Sequence, residues 1–171
     1  MSDTAAVADP RAKTDVRPAF TPTLFYRDPK AALDWLEKAF GFEISTLLTD
    51  KDGNIAHAEM SFGDSRLGVA GEWSGIGKPW APAQMLSPQT IGSVGTQFLW
   101  VELDSDIDVH CERAKTAGAR IIEELTDQFY GARTYRALDL DGHVWNFRQD
   151  KAQPTVAEME AATGLRFVKG G

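Results

Sequence analysis

Apolar and polar residues alternate over several short stretches of this chain. Between the first two of these stretches, the apolar residues instead recur every three or four positions, as they do in a helix. TPTLFYR (21–27) alternates as a β-strand does. Asp28 and Pro29 then form a helix start, because the aspartate caps free amides and the proline occupies a position that needs none. The apolar face of the helix predicted over 29–40 consists of Ala32, Trp35, Leu36, Ala39 and Phe40. Three further strands are predicted at 42–50, 55–62 and 66–71.

The same order of elements, βαβββ, returns in the second half of the chain. Phe40-Gly41-Phe42 at the exit of the first helix aligns with Ala117-Gly118-Ala119, and MSFGDSRLGV (60–69) aligns with LDLDGHVWNF (138–147). A repeat of this length predicts an α+β fold in which two βαβββ modules form a cup-shaped, partly open mixed β-sheet with the helices outside. The second set of elements is a strand at 95–103, a helix at 104–117 and strands at 119–125, 132–140 and 143–149.

These elements predict one central domain with two appendages. Residues 1–19 lack periodicity and are predicted to form a flexible N-terminal arm. The domain covers 20–149, with modules at 20–71 and 95–149 and a Pro- and Gly-rich linker at 72–94, where Trp73 and Trp80 are candidates for a lid. The tail, 150–171, is predicted to hold a short helix that begins with a capping box.

Composition narrows the classes of partner. The formal charge of −7 comes without a Lys/Arg stripe, which argues against binding nucleic acid. No apolar run approaches the roughly 20 residues of a membrane span, and no secretory signal is visible. The single cysteine, Cys111, excludes an internal disulfide. We therefore expect a cytoplasmic protein without nucleic-acid or membrane partners.

Three segments resemble a known family. YRDPKAALDWLEKAFGFE (26–43), HAEMSFGDSRLGVAG (57–71) and YGARTYRALDLDGHVWNF (130–147) are similar to the glyoxalase, bleomycin-resistance and extradiol-dioxygenase superfamily, also called vicinal oxygen chelate proteins. The resemblance implies paired βαβββ modules that form a cup and are commonly homodimeric. Because members include isomerases, lyases, dioxygenases and proteins that only bind a drug, it does not imply one function.

The metal site of the family can be checked position by position. In its metal-dependent members, His, Gln or Glu ligands come from the first and last strands of each module. The corresponding positions here are Thr21, a position near Gly68, one between Gln97 and Leu99, and Asn146. Two amides at most, with no carboxylate or imidazole, are a poor donor set for a divalent transition metal. We expect no metal or other cofactor.

Histidines offer a second route to chemistry. His57 and Glu59 alternate on one strand and therefore share a face, so they form a proton-transfer pair if that face lines the cup and a plain ion pair if it faces solvent. His110 is interpreted as a partly buried helix residue. His143 is expected to hydrogen-bond across its own hairpin.

The leading hypothesis is a metal-independent protein that binds or sequesters a small, possibly aromatic molecule. Arg133 either anchors an anionic group of the ligand or only neutralises nearby acids such as Asp127. One alternative is a glyoxalase-like lyase, isomerase or dioxygenase that is metal-dependent or uses His57 and Glu59. Another is a structural protein whose cup is filled by its own side chains. The candidate ligand-binding residues are Trp80, Gln97, Trp100, Tyr130, Arg133 and Asn146.

Overall fold

A computed structural model describes residues 18–73 and 84–168 of the chain. Trp80 and most of the predicted N-terminal arm lie outside these residues. The predicted order of elements is confirmed, with βαβββ occurring twice before a third helix. The first module contains β1 (Thr23–Tyr26), α1 (Pro29–Phe40), β2 (Glu43–Thr49), β3 (Ile55–Phe62) and β4 (Ser65–Gly71). The remainder contains β5 (Phe98–Glu102), α2 (Ile107–Thr116), β6 (Arg120–Asp127), β7 (Ala132–Leu138), β8 (Val144–Asp150) and α3 (Val156–Thr163).

Local sequence explains where the first helix begins and ends. The Asp28 side chain accepts hydrogen bonds from the backbone amides of Lys30 and Ala31, and Pro29 occupies the first turn. Gly41 ends the helix with a φ of 79°, a left-handed conformation that costs glycine little. Asp106 caps α2 in the same way. The first helix therefore occupies its predicted residues, whereas α2 begins at Ile107, after Asp106, three residues later than predicted.

Each module forms its own four-stranded mixed sheet. The strand orders are β1-β4-β3-β2 and β5-β8-β7-β6, with one parallel pair at the β1 or β5 end and antiparallel pairs elsewhere. Within residues 18–73 and 84–168, no ladder of hydrogen bonds joins the two sheets. The fold class predicted from the sequence, α+β with two modules, is confirmed. No helix in the described part of the chain is long and apolar enough to cross a membrane.

The core lies between the sheets and the helices, and it joins the modules. His110 on α2 is buried, with its Nε2 3.0 Å from the carbonyl oxygen of Phe40 and its Nδ1 2.7 Å from the hydroxyl of Tyr135. Because a carbonyl only accepts, Nε2 carries the proton and Nδ1 accepts from Tyr135. Trp35 donates from Nε1 to the carbonyl of Ala117 at 2.8 Å. The helix residues thus connect one module to the other.

The turn between β7 and β8 forms the densest polar link between the modules. Asp139 is buried, and one of its carboxylate oxygens accepts from the hydroxyl of Tyr26 at 2.7 Å and from Nε1 of Trp145 at 3.0 Å. Its other oxygen accepts from the backbone amides of Asp141 and His143. Four donors thus offset part of the loss of water around this carboxylate, although burial still raises the pKa of Asp139.

Two more side chains of this turn contact the first module, at β1 and at the residue that follows it. Asp141 accepts from the backbone amide, Nε and Nη2 of Arg27 at 2.7–2.9 Å. The Nε2 atom of His143 lies 3.0 Å from the carbonyl oxygen of Phe25. We expected this ring to bond across its own hairpin, but its partner lies on the other module. We call residues 139–143 the inter-module turn.

Candidate ligand-binding site

Strand register brings three side chains together on the second sheet. Asn146 on β8 pairs with Trp100 on β5 and with Arg136 on β7. The neighbouring residues of β8, Trp145 and Phe147, are fully buried in the core with the helices. Since successive side chains of a strand point to opposite faces, these three residues lie on the face away from the helices. We call it the open face.

Asn146 carries a buried polar atom without a partner. The residue is 1% exposed. Its Oδ1 accepts from Nε of Arg136 at 3.0 Å, which fixes the orientation of the amide. Its Nδ2 has no hydrogen-bond partner among the described residues. A buried donor left unsatisfied costs about 1–3 kcal/mol, and nearly all such groups in native proteins have a partner in the protein, a water molecule or a bound ligand.

Exposed aromatic rings lie beside this amide. Phe98 is 52% exposed and Trp100 is 45% exposed, with their ring centroids 6.0 Å apart. The guanidinium carbon of Arg136 lies 5.8 Å from the Phe98 ring centroid, and its Nη1 contacts Glu123 at 3.2 Å. Large exposed rings next to a buried polar group are a suitable surface for stacking a flat molecule.

The other predicted binding residues lie at different places. Arg148, which follows Asn146 on the same face, lies over the ring of Tyr130 at 5.5 Å. Gln97 precedes β5 and lines surface pockets at the seam between the modules. Trp80 lies outside the described residues. Tyr130 and Gln97 thus border the open face rather than joining its centre.

Arg133 is located on the opposite face of its sheet. It forms ion pairs with Asp108 of α2 and with Asp127, both at 2.9 Å. These hydrogen bonds raise the pKa of the Arg133 guanidinium and, together with the charge of Arg133, lower the pKa of Asp108. Its charge is therefore engaged by two acids on the helix side, and the structure does not bring it together with Asn146.

The first module presents an equivalent row with different chemistry. Register pairs Gly68 on β4 with Thr23 on β1 and with Glu59 on β3, as it pairs Asn146 with Trp100 and Arg136. A Cβ atom added to Gly68 would lie 2.5 Å from Oγ1 of Thr23, so the threonine fills the space of the missing side chain. The two modules thus carry opposite charges, Glu59 and Arg136, at equivalent positions.

Glu59 is held between two bases on the open face of the first module. Its Oε1 lies 3.1 Å from Nε2 of His57, and its Oε2 lies 3.1 Å from Nη1 of Arg66. Partial burial acts to raise the pKa of Glu59, but the hydrogen bonds from His57 and Arg66 outweigh it, and the pKa lies below its ordinary value. The carboxylate is therefore ionised and orients the half-exposed His57 ring.

The face positions of the first and last strands do not fit a divalent transition metal. Register pairs Gly68 with Thr23 in the first module and Asn146 with Trp100 in the second, so Thr23 and Trp100, rather than Thr21 and Gln97 or Leu99, lie directly opposite the closing-strand positions. One hydroxyl and one amide are the only side-chain oxygens in this set. In the described part of the chain, no three His, Cys, Asp or Glu residues cluster to hold a metal.

Comparisons with known proteins agree with this architecture. A family model described as Glyoxalase/Bleomycin resistance protein/Dioxygenase superfamily matches residues 19–147. The uncharacterized protein Rv0887c of Mycobacterium tuberculosis (strain ATCC 25618 / H37Rv) is 26% identical over 148 residues, covering 86% of this chain and 84% of the relative. TioX from Micromonospora sp. ML1 is 31% identical in sequence, and the match covers 77% of this chain and 98% of TioX. Its crystal structure superimposes with a TM-score of 0.56. A glyoxalase/bleomycin resistance protein/dioxygenase from Nocardioides is 20% identical over 84% of this chain and 91% of its own, with a TM-score of 0.57.

Proposed function

The chain belongs to the glyoxalase/bleomycin resistance protein/dioxygenase superfamily, and we propose that it binds and holds a small, partly aromatic molecule without a resident metal ion. The observation that carries this proposal is the unpartnered Nδ2 of Asn146, buried between Trp100 and Arg136. The exposed rings of Phe98 and Trp100 provide a surface for stacking, and Nδ2 of Asn146 provides a polar group that a ligand could satisfy. The hydroxyl and the amide at the face positions described above favour binding without a metal ion.

The geometry specifies the complementary features of the ligand. An aromatic plane would stack on Trp100 and Phe98, which are already half exposed and close together. A carbonyl or carboxylate oxygen at its edge would accept from Nδ2 of Asn146 once the covering side chains move, and Arg136 would contribute a second donor. Satisfying a buried donor adds specificity, because a ligand without that oxygen leaves the original cost in place.

Fluorescence titration tests the proposal. Flat aromatic probes that carry a carboxylate or carbonyl oxygen, such as 2-naphthoate and quinoline-2-carboxylate, should quench tryptophan emission. Trp100→Leu should remove most of the quenching, and Asn146→Leu should weaken binding about tenfold, the equivalent of one charge-assisted hydrogen bond. Val109→Ala, on the exposed side of α2, is the matched control and should change neither.

Two results would contradict the proposal. The first is calorimetry in which the folded protein shows no binding of any probe at millimolar concentration. The second is binding that disappears after dialysis against EDTA and returns with zinc, nickel or iron, which would make the site metal-dependent.

A second candidate function is metal-free proton transfer by His57 and Glu59. It is supported by the Arg66–Glu59–His57 contacts, in which an anchored carboxylate orients a partly exposed imidazole. Such a pair would abstract a proton next to a carbonyl. Deuterium incorporation into hydroxyacetone, followed by NMR in D₂O, should fall to the buffer rate in both His57→Gln and Glu59→Gln. Exchange by the unaltered protein at the buffer rate would eliminate this candidate.

We also propose that the protein acts as a cytoplasmic homodimer. β1 and β5 each have one edge without a strand partner among the described residues, and Phe98 and Leu48 are exposed. The opposite charges of Glu59 and Arg136 would allow the first module of one copy to meet the second module of another. Light scattering should give twice the chain mass, and a single-chain mass across micromolar concentrations would contradict this proposal.

A further inference from the structure

A second pocket, separate from the open-face amide, opens at the seam between the modules. It has a volume of about 430 Å³, which falls in the range of small-molecule sites. The β3–β4 turn of the first module and β5 of the second form its sides, and the residues just before β1 close one end. Asn146 does not line it. We call this cavity the seam pocket.

Aromatic rings form much of the seam-pocket wall. Phe42 and Phe62 have ring centroids 5.1 Å apart, and Trp145 lies 5.4 Å from Phe42. Trp145 and Phe42 are buried core residues, whereas Trp100 is half exposed. Phe62 is only partly buried and packs on Phe42, so among these four rings Phe62 and Trp100 are the ones that an occupant of the cavity can reach. Such walls favour apolar ligands and, through their quadrupoles, organic cations.

The charges around the seam pocket are mostly negative. Asp64, Glu102 and Asp104 line it together with one base, Arg66. Arg66 is engaged by Glu59 at 3.1 Å, and Glu102 by Arg148 at 3.5 Å. These contacts leave the two aspartates as the charges that remain available.

Asp64 and Asp104 have no ion pair or hydrogen bond with any part of the chain that the structure describes. Both are exposed residues, so they belong to the mouth of the pocket rather than to its floor. The whole chain carries a charge of −7, which reinforces the same sign of potential around them. The mouth therefore attracts cations.

We propose that the seam pocket binds an organic cation, with its flat apolar body against the aromatic wall and its positive end at Asp64 and Asp104. Charge complementarity and the rings select the same chemistry, that of an aromatic or quaternary amine. A bare divalent ion would leave the aromatic wall unused, and an anion would meet two uncompensated carboxylates. This site goes beyond the proposed function, because it shares only Trp100 with the open-face site and has the opposite charge preference.

A matched pair of probes tests the charge requirement. N-methylacridinium is permanently cationic, whereas acridine has the same ring system and is neutral at pH 8. The cation should bind about tenfold more tightly than acridine to the full chain, as monitored by quenching of probe fluorescence. Raising the salt concentration from about 0.05 M to about 0.5 M should weaken the binding of the cation and leave that of acridine nearly unchanged.

Conservative variants locate the site. Asp64→Asn and Asp104→Asn should each weaken N-methylacridinium binding about three- to fivefold, the range of an exposed ion pair, without changing acridine binding. Asp34→Asn, which removes the same charge from an exposed position on α1, is the control and should have no effect. Phe62→Leu should weaken the binding of both probes.

Two outcomes would overturn the proposal. One is equal affinity for the cation and acridine. The other is cation binding that is insensitive to both aspartate variants but lost in Asn146→Leu, which would place the probe on the open face. Binding of 2-naphthoate in the same preparations reports on the open-face site independently, so failure of one proposal is distinguishable from failure of the other.

Discussion

Replacing Asn146 by leucine is expected to stabilise the protein while it removes open-face binding. The substitution eliminates the buried Nδ2 that has no partner in the described residues, a gain of about 1–3 kcal/mol. It also removes the bond between Oδ1 and Nε of Arg136, a loss of about 0.5–1.5 kcal/mol. Arg136 keeps its contact with Glu123 and reaches water, so the loss lies at the lower end. The net gain is about 1 kcal/mol.

Urea denaturation and calorimetry measure this gain, which corresponds to a rise in Tm of about 2–4 °C for a chain of this size. In an Arg136→Met background the gain should be larger, because no bond to Oδ1 remains to be lost. The reasoning is refuted if Asn146→Leu destabilises the protein by 1 kcal/mol or more, since the amide would then be satisfied in the unliganded protein.

Three further predictions concern stability. Burial lowers the pKa of His110, so as the pH falls the unfolded chain takes up a proton before the folded protein does. The contribution of His110 to the free energy of unfolding should therefore be complete above a pH of about 6.5, the pKa of histidine in an unfolded chain, and should decrease as the pH falls toward the lowered pKa of the folded state. Urea titrations of His110→Gln should lack this pH dependence. In Asp139→Asn an NH₂ group replaces one of the two oxygens that accept four hydrogen bonds, so donor faces donor there. Urea denaturation should report a decrease of about 2–4 kcal/mol in the free energy of unfolding. A decrease below about 1 kcal/mol would contradict the role of the carboxylate. Gly68→Ala should cost about 1–3 kcal/mol through its clash with Thr23, and thermal unfolding of the double variant with Thr23→Ala should recover most of it; additive losses would exclude the clash.

The order of the elements and both ends of α1 could be predicted because they depend on neighbouring residues. The aspartate and proline before α1, its apolar stripe and Gly41 all act within one helix. Because the second half repeats the order βαβββ, the same elements could be predicted there. Periodicity and capping are local, which is why α1 matches its prediction and α2 differs from its prediction only at its ends.

The site could be predicted only in part, because it depends on pairing between distant strands. Asn146 followed from its spacing after the DGH motif, and transfer through the repeat reached Gly68, its structural equivalent. Arg136 was missed, although the alternation of buried Tyr135 and Ala137 around it marks it as facing away from the core. Its position opposite Asn146 is a matter of register, which sequence spacing does not define.

The partners of the DLDGH segment could not be predicted for the same reason. The motif suggested a tight turn, but Tyr26 and Arg27 lie more than 110 residues away in the sequence, at separations of 113 and 114. No local pattern indicates such a contact. The physical reason is that a buried carboxylate needs donors, and the fold supplies them from the other module.

The inter-module turn makes the two halves of this chain inseparable. Expressed without the first half, the second would have a buried aspartate that has lost one of its four donors, the hydroxyl of Tyr26, and a neighbouring aspartate without its arginine. Expressed alone, the first half would expose the apolar side of a helix and a tyrosine that water cannot reach in the whole protein. The two βαβββ modules therefore form one obligate folding unit, and neither fragment should accumulate as a stable polypeptide in a cell.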